Sequence, residues 1–163
     1  MAMTDDREQP PDVRDFDLGE SVAFLLRQAH FRAESMFEEI MGVSEYTPRQ
    51  MSLLLASVQH PGASVADLAE VIALDRNTVA EMVPRLVDRG LLRRERSGSD
   101  GRAWSIFATG DAENILRHII AQNDRLMEAI MAPLPIEYRP LFVRCLKLMT
   151  SADRDAGRNS RAN

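Results

Sequence analysis

Between Ser64 and Ala108 the chain reads as helix, tight turn, helix, strand, loop, strand, and few folds accommodate that order. Ser64 is placed to cap a short helix through Ile72, and Ala73-Leu74-Asp75 turns the chain into a second helix ending at Arg89. Gly90 follows as the left-handed residue that stops it. Leu91 to Arg96 and Ala103 to Ala108 are strand-like, and the intervening SGSDG fits a hairpin tip. In the second helix Val79, Met82, Val83 and Leu86 recur at spacings of three and four, which marks them as the buried face. Arg76, Asn77, Thr78, Ala80, Glu81 and Arg85 are left to face outward.

The flanks are helical. Asp17 and Glu20 suggest a capping box for a long first helix, in which Val22, Leu25, Leu26, Ala29, Ala33, Met36 and Ile40 repeat until Gly42. Thr47-Pro48-Arg49-Gln50 opens another helix with an N-cap hydroxyl, a proline at its first position and a Gln that bonds back; it stops before Pro61-Gly62. Asp111 to Met131 reads as one long helix whose apolar stripe holds Ile115, Ile119, Leu126 and Ile130 and also Leu116, Ile120, Met127 and Met131. That stripe is too wide for one small partner surface. A last helix, regular from Pro140, presents Leu141, Phe142, Cys145, Leu146 and Met149. The ends therefore hold more apolar surface than a thin monomer hides, which implies a helical dimerisation region from 15–46 and 111–152 around a reading unit at 47–110. Residues 1–14 and 153–163 are polar and are expected to be disordered.

Charge narrows the function. The 163 residues, 45% hydrophobic, suit one domain and carry a net charge of −5, so the whole-molecule field repels phosphate. Asp75 to Arg102 nevertheless holds seven arginines against five acids, a net of +2 that leaves −7 for the rest. Affinity for nucleic acid must come from that local patch. Cys145 is the only cysteine, which excludes an intramolecular disulfide and suits a reducing compartment. No signal-like N-terminus and no apolar run near the roughly 20 residues of a membrane span is present, so a soluble, cytoplasmic protein without a membrane partner is expected. His30, His60 and His118 share no ligand spacing, and no nucleophile motif or phosphate-binding glycine loop occurs. The expectation is no metal, no cofactor and no catalysis, with His60 and His118 in solvent and Cys145 a buried small hydrophobe.

Helix, helix, turn, helix, strand, loop, strand is the order of a winged helix-turn-helix, here mainly α with a small β-hairpin wing. A recognition helix fits a DNA major groove about 12 Å wide, and the hairpin tip reaches the neighbouring minor groove. Arg76 suits guanine, Asn77 suits adenine, and Thr78 suits a phosphate or a thymine methyl. Glu81 either accepts from cytosine or holds Arg85 at i+4. On the wing, Arg94 and Arg96 follow at strand spacing, and Asp100 can stiffen the tip while aiming Arg102 at the narrow groove.

These residues carry a resemblance. Thr47-x-x-Gln50, Val65-Ala66-Asp67-Leu68-Ala69, Leu86-Val87-Asp88-Arg89-Gly90-Leu91-Leu92, Asp100-x-Arg102 and Ala108-Thr109-Gly110 together resemble the MarR family of transcriptional regulators, closely over 46–116 and loosely beyond. The resemblance implies a homodimer on a pseudo-palindromic operator, usually a repressor, released by a small molecule that enters a cleft between its two regions. Arg27 and His30 are candidates to bind the carboxylate or phenolate of an aromatic acid, with Met51 and Trp104 as ring walls. Pro84 departs from the family pattern, which usually has a polar residue there, and either bends the recognition helix or shortens it. The alternative function is a winged-helix module that meets an acidic protein instead of DNA.

Overall fold

A computed structural model describes residues 12–42, 46–96 and 104–160, with side chains through 151. Helix α1 spans Val22–Met41, α2 Pro48–Gln59, α3 Val65–Val71 and α4 Arg76–Asp88. Strands β1, Leu92–Arg96, and β2, Trp104–Ala108, form an antiparallel hairpin in which Leu92 pairs with Ala108 and Arg96 with Trp104. Helices α5, Gly110–Ala121, α6, Asn123–Met131, and α7, Arg139–Ser160, complete the chain.

Short-range chemistry explains most of the boundaries. Both hydrogen bonds of the Thr47–Gln50 capping box are present at the start of α2, with Pro48 in its first turn. Ser64 and Asp67 form a second box at the start of α3. The two Ser64 hydrogen bonds, side chain first, hold the Asp67 carboxyl below its ordinary value. Gly90, at φ +73, stops α4 as the sequence anticipates.

The core sits where α2, α3, α4 and the hairpin meet. Leu53, Leu54, Leu68, Val79, Leu86 and Ile106 are fully buried, and the only buried polar side chain among the described residues, Ser57, donates its hydroxyl to the Leu53 carbonyl at 2.8 Å. Val79, Met82, Val83 and Leu86 form the inner face of α4, as their spacing requires. The core continues through Ala112 and Leu116 of α5 to Phe37 and Met41 of α1 and Leu126 of α6.

Four expectations need correction. Asp17 does not cap α1: its carboxylate accepts from the Gly19 N–H at 2.8 Å and closes a separate 3-10 turn at Leu18–Glu20. Ser21, extended at ψ 114, then precedes α1 without a side-chain cap, because the chain redirects there. The single helix expected over 111–131 is broken at Gln122, whose N–H reaches back only to Ile119. The break divides the over-wide stripe, so that α5 packs on α2 and α6 on α1, while Ile120 and Met127 stay exposed. Helix α7 persists to Ser160 although its tail is polar. Cys145 is exposed, because the rest of the chain does not cover that side of α7. Of the expected disordered arm, residues 1–11 lie outside the described residues, and Val13–Asp15 forms a 3-10 turn capped by Asp12.

Candidate nucleic-acid interface

The outward face of α4 is set by its cap. Asp75 accepts from the Thr78 N–H at 2.8 Å and also from the Thr78 hydroxyl. Those bonds, the side-chain one first, hold the Asp75 carboxyl below its ordinary value. The hydroxyl proton of Thr78 is engaged by that cap, which leaves its methyl group and the acceptor lone pairs of the oxygen for a partner. Arg76, Asn77, Ala80, Glu81 and Arg85 are exposed. Among the described residues no ion pair joins Glu81 to Arg85, so Glu81 is not a brace for that arginine. Pro84 lies inside the helix, exposed, and α4 runs on to Asp88 without being shortened.

The hairpin is held by the body of the protein. The Ile106 N–H donates to the Ala63 carbonyl at 3.0 Å, and the Gly62 N–H donates to the Ile106 carbonyl at 2.8 Å, so the α2–α3 connection acts as a short third strand. Gly62 adopts φ +82, and a Cβ there would meet the Phe107 ring at 3.3 Å. At the other end, the Thr109 hydroxyl donates to the Gly90 carbonyl at 2.8 Å and caps α5 through the Ala112 N–H, tying the exit of α4 to the exit of the wing. Sequence reasoning assigned no role to Ala63 or Gly62. The Pro61-Gly62 pair signalled a turn, but pairing of Ala63 with a strand more than forty residues on leaves no local trace.

Arg94 and Arg96 are exposed on β1, with their guanidinium carbons 5.3 and 5.6 Å from the centre of the Trp104 ring. Arg93 lies over Phe107 at 4.3 Å and is ion-paired to Glu95. Asp100 and Arg102 lie outside the described residues.

The four candidate effector residues lie on three elements. Arg27 lies over Phe24 at 5.2 Å, and His30 is 3.4 Å from the Glu34 carboxylate, both exposed on α1. Met51 belongs to the core, and Trp104 to the wing. A cavity of about 480 Å³ instead lies between α1, the start of α2 and α4, lined by Glu34, Glu38, Arg49, Gln50, Glu81 and Arg85 among others. His60 and His118 are exposed, the latter 3.0 Å from the Gln122 amide nitrogen. No described helix is long and apolar enough to cross a membrane.

A capped recognition helix, a tethered two-stranded wing and an arginine-rich outer surface define a winged helix-turn-helix DNA-binding protein. Residues 44–103 match the model of the MarR family. The transcriptional regulator HosA of Escherichia coli is 31% identical over 105 residues, 64% of this chain and 78% of HosA. The PcaV transcriptional regulator of Streptomyces coelicolor, solved in complex with its natural ligand, superposes with a TM-score of 0.77 at 28% identity, covering 85% of this chain and 97% of PcaV. The transcriptional repressor CouR, solved bound to a 23-mer DNA duplex, gives a TM-score of 0.72 at 25% identity, covering 82% of this chain and 94% of CouR. The chain belongs to the MarR family: it is a transcriptional regulator, not an enzyme.

Proposed function

We propose that the chain acts as a homodimeric repressor that binds a pseudo-palindromic duplex and is released by a small molecule such as an aromatic acid. The observation that carries this reading is the exposure of Arg76, Asn77 and Arg85 on α4 and of Arg94 and Arg96 on the wing, in a protein whose net charge is −5. Arg76 and Asn77 read bases, Thr78 offers its methyl group, Glu81 accepts from cytosine, and Arg85 contacts the backbone. Arg94, Arg96 and Arg102 meet backbone or minor groove, with Asp100 aiming Arg102.

Residues 47–110 form the reading unit, while 15–46 and 111–152 form the dimer. Exposed Phe16, Leu18, Val22, Ile136, Leu141 and Leu148, from the two ends of the chain, support that division. The cavity between α1 and α4 is the effector site in this reading, because α4 is one of its walls; Arg49 and Arg85 line it together with Glu34, Glu38 and Glu81. A ligand that prefers the arrangement unable to bind DNA, by about 1–3 kcal/mol, lowers DNA affinity about 5- to 150-fold.

The test is a titration of a duplex from upstream of the protein's own gene, at several salt concentrations, with and without candidate aromatic acids. Steep loss of affinity with salt supports phosphate neutralisation. Salt-independent behaviour, or no binding in dilute buffer, refutes the reading and favours a protein partner for the arginines.

A further inference from the structure

The two faces of the hairpin order their arginines by different chemistry. On the face of Phe107, Arg93 is stacked on that ring and also ion-paired to the exposed Glu95, while the opposite face buries Leu92 and Ile106 at its inner end. On the other face Arg94 and Arg96 share the Trp104 ring, with Arg96 directly across the ladder from it. Among the described residues no carboxylate pairs with either. An acid would hold an arginine but neutralise it. An indole face holds a guanidinium through its quadrupole and leaves the full positive charge available to something else.

Burial does not account for this tryptophan. Trp104 is 43% exposed, while the apolar contact that anchors β2 is made by Ile106, which is fully buried. Two like charges on one face of a strand also repel each other. Attraction of each guanidinium to the one ring, at 5.3 and 5.6 Å from its centre, opposes that repulsion.

We propose that Trp104 is a positioning residue: it holds Arg94 and Arg96 extended for the phosphate backbone before DNA arrives, so that less side-chain freedom is lost on binding. This rests on the DNA-binding reading above. Two exposed cation–π pairs together correspond to about a 5- to 30-fold effect on affinity. The number of phosphates neutralised does not change when only the ring is lost.

The experiment is a fluorescence-anisotropy titration of the full chain against the upstream duplex across a salt series, with a thermal melt of each variant to confirm folding. Trp104→Ala should bind about 5- to 30-fold more weakly with an unchanged salt slope. Trp104→Phe should restore most of the affinity, and Trp104→Leu, which keeps bulk without a ring quadrupole, should not. Arg94→Ala and Arg96→Ala should each lower the slope by about 0.9. Wild-type affinity in Trp104→Ala, equal rescue by Leu and Phe, or a fall in slope with the ring would overturn the proposal.

A second arm needs no DNA. Trp104 is the sole tryptophan, so emission of the free protein reports the stack directly. Its spectrum should change on replacing both Arg94 and Arg96 with alanine; an unchanged spectrum refutes the stack. If that change is seen but the wild type binds no duplex, the DNA-binding reading has failed and the positioning role falls with it.

Discussion

Replacing Pro84 with alanine should stabilise this protein, and the size of the gain follows from where the proline lies. Pro84 is the ninth of the 13 residues of α4 and is exposed, so its removal costs no core packing. In a helix interior proline is about 3 kcal/mol worse than alanine, since it lacks the N–H that would donate to the carbonyl of Ala80 and its ring crowds that carbonyl. Ala80 is itself exposed, so water hydrates its carbonyl and offsets about 1 kcal/mol of that penalty. Alanine also returns about 0.4–1 kcal/mol of chain entropy to the unfolded state, which opposes the gain. The balance is a stabilisation of about 1–2 kcal/mol. For a chain of 163 residues each kcal/mol moves the melting temperature by about 2–4 °C, so calorimetry should show a rise of about 2–8 °C. DNA affinity measured on the same variant separates two roles. If Pro84 bends α4 to follow the groove, affinity falls while stability rises; if it is only tolerated, affinity stays within about twofold. An unchanged or lowered melting temperature would refute the reasoning, because Pro84 would then be at no cost to the helix.

Other outcomes test the frame that holds the interface. Ile106→Ala removes a fully buried side chain at the junction of wing and body and should cost about 2–5 kcal/mol, read as a lower urea midpoint, with Ile106→Val costing about 0.5–1.5 kcal/mol. Gly62→Ala should destabilise by about 1–2 kcal/mol in the same assay, because φ +82 disfavours a Cβ and the Phe107 ring has to give way. Acid should loosen α3 and α4 first. The Asp67 and Asp75 carboxyls are held below their ordinary 3.8, so the native state binds fewer protons than the unfolded chain; their contribution is complete above that pH and is lost as pH falls through the lowered native values. Asp75→Asn keeps a cap that does not titrate, so its far-ultraviolet circular dichroism should show a shallower acid limb than the wild type; an identical limb would count against the linkage.

The recognition surface was legible in large part because it is a property of single elements. The inner face of α4, the caps at Thr47 and Ser64 and the stop at Gly90 depend on residues within one or two helical turns, and the structure places each accordingly. Where the signal was misread, a local pattern had two local solutions. Asp17 caps a 3-10 turn instead of α1, and an unbroken apolar stripe over 111–131 was compatible with one helix or with two. Thr78 is an intermediate case: its type suggested a phosphate or a thymine-methyl contact, and only the structure showed that the hydroxyl proton goes to its cap partner three residues back.

The amino-acid order by itself determined the succession of elements from Ser64 to Ala108, the side of α4 that is buried and the segregation of positive charge into Asp75 to Arg102, since periodicity, capping and charge are all one-dimensional. Only the tertiary structure decided that Ala63 pairs with Ile106, that α5 and α6 part at Gln122 to cover different helices, that Cys145 lies open, and that Arg94 and Arg96 share the Trp104 ring while Arg93 takes Phe107 and Glu95. Each of those depends on which surfaces meet after the chain has folded back on itself, and contact between distant residues is fixed by the shape of everything between them.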